Sequence, residues 1–270
     1  FKPILIVPGE RKSVFFEIFF KSLKQQKIMS PIILICNKKI FYNEVNKFKF
    51  NKKKINELCI NQIYKKKLKN KNMYLVNISP KNNQVYVKKC FEVAFNLIKN
   101  GITDKIINGP INKTKTLKKK YLGVTEYIAH SFNQKKFAML IYNSKLSVCP
   151  VTTHLPLNLV KRKINKKTIK DKIMIINDFY KRILGFKPKI AVTGLNPHCE
   201  SILKFNEDEK IIRPVINSLK NRIKVKGPFS ADTIFLKSNR KKFDVIIGMY
   251  HDQVLGPMKT LFEYDAINIT

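Results

Sequence analysis

The sequence predicts an α/β fold with a largely parallel β-sheet, and three observations support this prediction. Short apolar runs of strand length recur along the chain and often end at glycine or proline. Longer segments between them carry apolar residues at helical spacing. These strands and helices alternate, which is typical of parallel strands joined by helical crossovers. At 270 residues, the chain is long enough for one large or two smaller domains.

The first half of the chain supplies four predicted strands and two predicted helices. The strands are the apolar runs at residues 3–7, 31–36, 73–78 and 105–108. The first helix follows Ser13, which can act as its N-cap, and the second spans residues 85–99 and ends at Asn100-Gly101. Residues 38–61 are rich in Lys and Asn, and their pattern favours neither a helix nor a strand.

The second half continues the alternation. Residues 137–142 and 146–149 are predicted to pair as strands, and further strands are predicted at 189–194 and 243–249. Thr125 can cap a short helix within 122–131, and a long helix at 168–184 ends at Gly185. Segment 207–221 is helical in pattern, but Pro214 predicts a kink or break near Arg213. A turn followed by a strand or short helix is predicted at 227–235.

Three of the four histidines follow strand-like runs directly. His154, His198 and His251 have this placement, whereas His130 is predicted to be an ordinary helix residue. Ligands of open α/β sheets bind beyond the carboxyl ends of the strands, and we expect His251 and Asp252 to lie in a loop there. Three imidazoles around one divalent ion form a known catalytic arrangement. The pattern alone leaves two alternatives open, a shared metal site or isolated polar loop residues.

Other site signals are weaker. Asp232 and Asp252 could orient a ligand or move a proton, or they could be ordinary turn residues. The turns at Gly109-Pro110 and at Gly123 could present backbone amides to a phosphate. No GxGxxG, GxxxxGK[ST] or GxSxG motif occurs, so a dinucleotide-binding fingerprint, a P-loop and a nucleophile elbow are not supported.

The composition indicates the cellular compartment and the classes of partner to expect. The five cysteines form no CxxC pair, which predicts free thiols and a cytoplasmic protein. No apolar run reaches membrane-helix length, so we expect no membrane partner. The net charge of +36 invites a nucleic-acid hypothesis, but only six of the 54 basic residues are Arg. We therefore interpret most lysines as solvated surface, with the runs at 52–54, 65–67 and 118–120 as the best candidates for a basic patch.

Four motifs together carry a family resemblance. TTHLPL (152–157), GLNPH (194–198), GPFSADTIF (227–235) and MYHDQ (249–253) resemble the 4-hydroxythreonine-4-phosphate dehydrogenase family of vitamin B6 biosynthesis. PGE (8–10), NGP (108–110), GVTEY (123–127) and NIT (268–270) follow in the matching order. The resemblance covers essentially the whole chain.

The resemblance implies an architecture. The expected fold is isopropylmalate dehydrogenase-like, with two α/β/α domains and an active-site cleft between them. The first domain would comprise residues 1–123 plus 253–270, with its C-terminal part apparently truncated because the family continues past NIT. The second would comprise residues 124–252 and carry the metal ligands and dimer contacts. The expected partner is a second copy, in a homodimer with a shared active site.

The resemblance also implies the chemistry. His154, His198 and His251 match the ligands of a divalent metal (Zn, Mg or Co), and the hydride acceptor is NAD or NADP. The implied reaction oxidises the secondary alcohol of a small phosphorylated amino acid, 4-phosphohydroxy-L-threonine, and the resulting 3-keto acid loses CO₂.

Further site residues follow from the same resemblance. Thr125, Lys259 and Asn268 match substrate-binding positions, and Asp232 and Lys259 are the candidate catalytic residues. Val124 stands where the family usually has His, which removes one substrate contact.

Two other functions stay open from the sequence. A related metal-dependent dehydrogenase acting on another phosphorylated hydroxy acid would keep the same scaffold, and Val124 motivates it. A basic nucleic-acid-binding protein is motivated by the charge alone, and its complex would have to survive moderate salt. We expect no specific nucleic-acid partner.

Overall fold

The computed structural model describes residues 1–51, 55–79, 83–117, 120–121 and 123–270. The chain divides into two compact units, Phe1–Tyr121 and Leu122–Thr270. Each unit has its own sheet with helices around it, so the predicted alternation of strands and helices is confirmed. The fold is mixed α/β with parallel sheets.

The first unit is built on a five-stranded parallel sheet in the order β3-β4-β2-β1-β5. Its strands are β1 (Ile4–Val7), β2 (Ile32–Cys36), β3 (Ile55–Glu57), β4 (Met73–Asn77) and β5 (Ile106–Asn108). Its helices are α1 (Phe15–Gln25), α2 (Lys38–Lys47), α3 (Ile60–Lys65), α4 (Asn83–Lys99) and α5 (Lys113–Leu117). The central strand β2 is buried along its whole length, as its continuous apolar sequence predicts.

The second unit is built on a six-stranded mixed sheet in the order β11-β6-β7-β10-β8-β9. Its strands are β6 (Leu140–Tyr142), β7 (Ser147–Pro150), β8 (Ile190–Thr193), β9 (Val225–Phe229), β10 (Val245–Gly248) and β11 (Ile267–Ile269). Its helices are α6 (Val124–Ser131), α7 (Leu157–Lys163), α8 (Lys166–Phe179), α9 (Arg213–Leu219), α10 (Ala231–Ile234), α11 (Lys237–Arg240) and α12 (His251–Phe262). Strands β7, β10, β8 and β9 are parallel, and β6 pairs antiparallel with both of its neighbours, β7 and β11.

Strand β10 shows how this sheet is buried on both faces. Val245 and Ile247 pack into the larger apolar cluster with residues of α8 and α9. Ile246 faces the smaller cluster, where it joins Val254 and Met258 of α12. Successive side chains of a strand point to opposite faces, so one short apolar run anchors both layers.

Two regions of irregular helix agree with the predictions. Helix α8 passes into a π-helical turn, Tyr180–Leu184, which ends at Gly185 in the left-handed conformation. Another π-helical turn, Asp208–Ile212, passes directly into α9, where Pro214 lies in the first turn. The missing N–H of Pro214 thus falls where the hydrogen-bond pattern changes from the π-helical turn to α9.

Three local predictions are wrong. Thr125 does not cap α6, because Gly123 holds the cap position and Thr125 lies inside the first turn. Gly227-Pro228 lies within β9, which pairs with β8, and not in a turn before it. His251 and Asp252 form the first turn of α12 and not a loop, since the helix begins directly after β10.

Residues 253–270 lie with the second unit in this structure. Helix α12 packs on the second sheet through Val254 and Met258, and β11 pairs antiparallel with β6. The family resemblance instead implies that residues 253–270 belong to the first domain. Strand pairing is the reason for the difference, since backbone hydrogen bonds join Ile267–Ile269 to the edge of the second sheet.

The lysine runs and the membrane prediction can be checked in the described residues. Residues 65–67 are exposed, as expected of solvated lysines. The run at 52–54 and residues 118 and 119 of the third run lie outside the described residues. Among the helices in the described parts of the chain, none has both the length and the apolar character required to cross a bilayer.

Candidate active site

The candidate site lies at the carboxyl end of the second sheet. Strands β7, β10 and β8 are neighbours and run parallel, so their carboxyl ends lie along one edge. His251 follows β10, His154 lies in the segment after β7, and His198 lies in a single 3₁₀ turn, Pro197–Cys199, after β8. The prediction that three histidines follow three strands is therefore confirmed in position.

His154 and His251 lie next to each other. Their ring centroids are 5.4 Å apart and their planes are tilted by 40°. Two imidazoles that bind one tetrahedral ion at Zn–N distances of about 2.1 Å have centroids about 5 Å apart. The spacing of this pair therefore fits two ligands of a single divalent ion.

A carboxylate faces Nδ1 of each of these imidazoles. His251 Nδ1 lies 2.7 Å from Asp252 Oδ1. His154 Nδ1 lies 3.6 Å from Glu126 Oε1. Imidazole ligands usually coordinate through one nitrogen while the other meets a carboxylate or carbonyl. By this pattern Nε2 would be the coordinating nitrogen of both rings, which supports the fit of a metal at the pair.

His198 lies apart from this pair on a strained loop. His198 and Cys199 both have positive φ angles, 54° and 61°. Asp208 stabilises the loop, since its carboxylate accepts hydrogen bonds from the backbone N–H groups of Leu195 and Asn196 at 2.7 and 3.2 Å. Within the described parts of the chain, no group of three metal-ligating side chains converges. A site with three imidazoles is therefore not complete in one chain.

Gln253 connects the carboxyl ends of β8 and β10. Its Oε1 accepts hydrogen bonds from the Thr193 hydroxyl at 2.8 Å and from the Met249 N–H at 2.7 Å. Its Nε2 donates to the Gly194 carbonyl at 2.8 Å. The side chain is buried, so these bonds hold the two strand ends in fixed register beside His251.

Asp232 lies near the His198 loop. Its Oδ1 accepts a hydrogen bond from the Ser230 hydroxyl at 2.5 Å. This hydrogen bond lowers the pKa of Asp232, and the nearby His198 lowers it further. Asp232 is therefore a carboxylate at neutral pH, which suits a proton acceptor better than a proton donor.

The predicted substrate-binding residues all lie in the second unit. Thr125 is buried in α6 and its hydroxyl is 2.9 Å from that of Thr270, two residues beyond Asn268 in the chain. Asn268 is exposed on β11. Lys259 is exposed on α12, and its ammonium donates to the Glu263 carbonyl at 3.1 Å. Thr125 and the segment carrying Asn268 are therefore close, and their binding roles stay predictions.

Four polar residues of the site received no predicted role in the sequence analysis. Glu126, Thr153, Asp208 and Gln253 all support the histidines or their loops through buried or half-buried hydrogen bonds. Glu126, Thr153 and Gln253 lie in the motifs GVTEY, TTHLPL and MYHDQ, but the predicted site roles went to other residues of those motifs. Asp208 lies at the start of the predicted helical segment 207–221, where an acidic residue also suits the helix dipole, so its role at the His198 loop had no separate cue.

Comparison with known proteins gives the same family as the sequence motifs. The family model described as "Pyridoxal phosphate biosynthetic protein PdxA" matches residues 25–270. A curated 4-hydroxythreonine-4-phosphate dehydrogenase from Sulfurihydrogenibium sp. (strain YO3AOP1) is 40% identical over 172 residues, which are 62% of this chain and 53% of that protein. A D-threonate 4-phosphate dehydrogenase from Pectobacterium atrosepticum is 35% identical over 186 residues, 67% of this chain and 57% of that protein. The chain thus spans little more than half the length of these relatives.

Solved structures agree with the fold. A putative 4-hydroxythreonine-4-phosphate dehydrogenase from Salmonella typhimurium has a TM-score of 0.79 at 26% identity, over 100% of this chain and 87% of that one. The enzyme of the same name from Klebsiella pneumoniae has a TM-score of 0.78 at 26% identity, over 100% of this chain and 86% of that one.

Proposed function

Because the chain belongs to the PdxA family of pyridoxal phosphate biosynthetic proteins, we propose that it is the subunit of a 4-hydroxythreonine-4-phosphate dehydrogenase. The enzyme would oxidise 4-phosphohydroxy-L-threonine to 2-amino-3-oxo-4-phosphonooxybutanoate, with NAD or NADP as the hydride acceptor. Loss of CO₂ would then yield 3-amino-2-oxopropyl phosphate. The observation that carries the proposal is the His154–His251 pair at the carboxyl end of the second sheet.

His154 and His251 would hold a divalent ion, with Zn, Mg or Co as candidates. Such an ion acts as a Lewis acid that lowers the pKa of a substrate alcohol and stabilises developing oxygen charge. The third expected ligand, His198, lies on a separate loop. We therefore propose a homodimer in which a second copy completes the ligand set, as the family resemblance implies.

The remaining residues would bind and orient the substrate. The Lys259 ammonium is exposed and suits a phosphate or carboxylate of the substrate. Thr125 and Asn268 would donate or accept hydrogen bonds at its polar groups. Asp232 is proposed to take up a proton, because it is an ionised carboxylate close to the His198 loop.

A D-threonate 4-phosphate dehydrogenase is the second candidate. It is favoured by the 35% identity to the relative that carries that name. Threonate has a hydroxyl where threonine has an amino group, so the two activities demand different contacts at that carbon. Val124, one residue before Thr125, replaces a polar residue expected from the family with an apolar one. The His154–His251 pair would hold the metal ion for either activity.

The test is a direct comparison of the two substrates. The complete gene product should reduce NAD or NADP with 4-phosphohydroxy-L-threonine, and metal analysis should find about one divalent ion per subunit. A higher kcat/KM for D-threonate 4-phosphate would select the second candidate. Absence of both turnover and metal would contradict the proposal as a whole.

A cytoplasmic location is part of the proposal. All five cysteines are free thiols, and Cys36, Cys90, Cys149 and Cys199 are buried. Free thiols persist in a reducing compartment such as the cytoplasm.

A further inference from the structure

We propose that Glu126 is a positioning residue for His154, whose carboxylate selects Nε2 of that imidazole as the metal-binding nitrogen. The inference rests on the proposed metal-dependent function. Glu126 itself contacts neither the substrate nor the ion in this proposal. It acts through the orientation and tautomer of one ligand.

The first support is a hydrogen bond that fixes the carboxylate. The Thr153 hydroxyl donates to Glu126 Oε1 at 2.6 Å. Thr153 directly precedes His154, so the same short segment holds both the anchor and the ligand. The anchored Oε1 is the atom that lies 3.6 Å from His154 Nδ1. This separation is within ion-pair range but longer than a hydrogen bond, so a small movement of the ring is enough to form one.

The second support is confinement of the two side chains by backbone. A Cβ atom on Gly123 would lie 2.8 Å from both Glu126 Oε2 and His154 Cε1. The bare backbone of Gly123, the N-cap residue of α6, therefore forms a wall against both side chains. His154 Nδ1 and Glu126 Oε2 are both shielded from solvent. Gly123 therefore limits the space on one side of both side chains.

The exposure of His154 differs from that of its Nδ1. The His154 side chain is 28% exposed, although its Nδ1 is not accessible. The accessible part of the ring therefore lies away from Nδ1. A carboxylate beside Nδ1 favours the neutral tautomer with the proton on that nitrogen, which leaves the lone pair on Nε2.

His251 provides an internal comparison. Its Nδ1 is closer to a carboxylate, at 2.7 Å from Asp252 Oδ1. However, the Asp252 side chain is 89% exposed, whereas that of Glu126 is 16% exposed. Water and salt weaken the interaction of an exposed carboxylate much more than that of a half-buried one. We therefore expect Glu126 to contribute more to metal affinity than Asp252.

The experiment measures zinc affinity of the full chain by competition with a chromophoric chelator. Glu126→Gln removes the charge and keeps the shape, and it should weaken Zn²⁺ binding about 10-fold, as loss of outer partners of metal ligands commonly does. Thr153→Val should weaken binding in the same direction, and Thr153→Ser should restore it because the hydroxyl returns. Asp252→Asn should have a smaller effect than Glu126→Gln.

Glu209→Gln is the matched control. Glu209 is an exposed glutamate of the second unit that pairs with Arg213 at 2.7 Å. The substitution removes the same charge at a distance where solvent screens it, so Zn²⁺ affinity should change by less than about twofold. If Glu126→Gln changes the affinity no more than this control does, the positioning role is overturned.

A second readout does not require bound metal. The ¹⁵N shifts of the His154 ring in the metal-free chain, assigned by their loss in His154→Ala, should show the proton on Nδ1 and should change in Glu126→Gln. If Glu126 had only a structural role, Glu126→Gln would lower thermal stability and leave the tautomer of His154 unchanged. If the unaltered chain binds no zinc, the proposed function fails. The ¹⁵N shifts of the metal-free chain would still show whether Glu126 controls the tautomer of His154.

Discussion

His154 and His251 meet with ring centroids 5.4 Å apart, although long stretches of chain separate them. The register of the two strands that precede them explains this proximity. Strands β7 and β10 pair in parallel, with Pro150 opposite Gly248 at their carboxyl ends. Each histidine follows its strand by only a few residues, so aligned strand ends bring the two imidazoles together.

Loss of one imidazole from this pair should abolish metal binding. We predict that His251→Ala loses stoichiometric divalent metal and activity together, because the ion would keep only two of its three proposed imidazole ligands. Metal content after purification in metal-free buffer measures the first effect. His130→Ala is the control, since His130 is exposed on α6. Full metal content in His251→Ala would remove His251 from the ligand set.

Truncation of Gln253 should destabilise the protein. Gln253→Ala leaves the Thr193 hydroxyl, the Met249 N–H and the Gly194 carbonyl without their partner in a buried region. Each unsatisfied buried group costs about 1–3 kcal/mol, so we expect a loss of about 3 kcal/mol or more in the free energy of unfolding. Urea denaturation measures this loss. The exposed Gln134→Ala should change it by less than about 0.5 kcal/mol.

Lys259 should act on the substrate and not on the nucleotide. Lys259→Ala removes an exposed ammonium of α12, and we predict that the KM of the phosphorylated substrate rises about tenfold, as expected for one charge-assisted hydrogen bond. The KM of NAD should stay nearly constant. Lys237→Ala, another exposed lysine of the second unit, should change neither constant. A larger rise for NAD would reassign Lys259 to the cofactor.

The thiols should differ sharply in reactivity. Burial raises the pKa of Cys149 to about 11 and that of Cys90 to about 12. Burial also raises the pKa of Cys36 and Cys199, whereas Cys59 is exposed. Only the thiolate attacks disulfide reagents, and a thiol with a pKa near 11 is about one part in a thousand thiolate at pH 8.

We therefore predict one fast thiol per folded chain at pH 8 in a disulfide-exchange assay, and five after unfolding in denaturant. Cys59→Ser should remove the fast phase and leave the folded protein otherwise unchanged. A fast phase that persists in Cys59→Ser would show that one of the four buried thiols is accessible.

Binding to nucleic acid should be purely electrostatic. The chain carries 54 Lys and Arg against 18 Asp and Glu, so it should bind DNA of any sequence at low salt. Affinity should fall by a factor of about a thousand or more between 50 and 200 mM salt if six or more phosphates are neutralised. Filter binding with two unrelated duplexes tests this, and a sequence-selective complex stable at 200 mM salt would contradict it.

Local sequence patterns predicted most helices and strands, but not every residue at which one begins or ends. The apolar run before Gly248 identified β10, and Gly185 identified the end of the helical segment after α8. Thr125 was assigned to a cap because Thr commonly caps helices, but α6 begins one residue earlier, at Val124. Gly227-Pro228 suggested a turn because those residues usually form one, yet pairing with β8 keeps them in a strand.

The sequence by itself determined which residues could be ligands. Only four histidines exist, and three of them follow apolar runs that become parallel strands, so periodicity and position sufficed to select them. The tertiary structure decided which of them meet and what surrounds them. Strand order places β7 beside β10, and packing of α6 brings Glu126 to His154. Such contacts join residues far apart in the chain, so they depend on register and packing that no local pattern encodes.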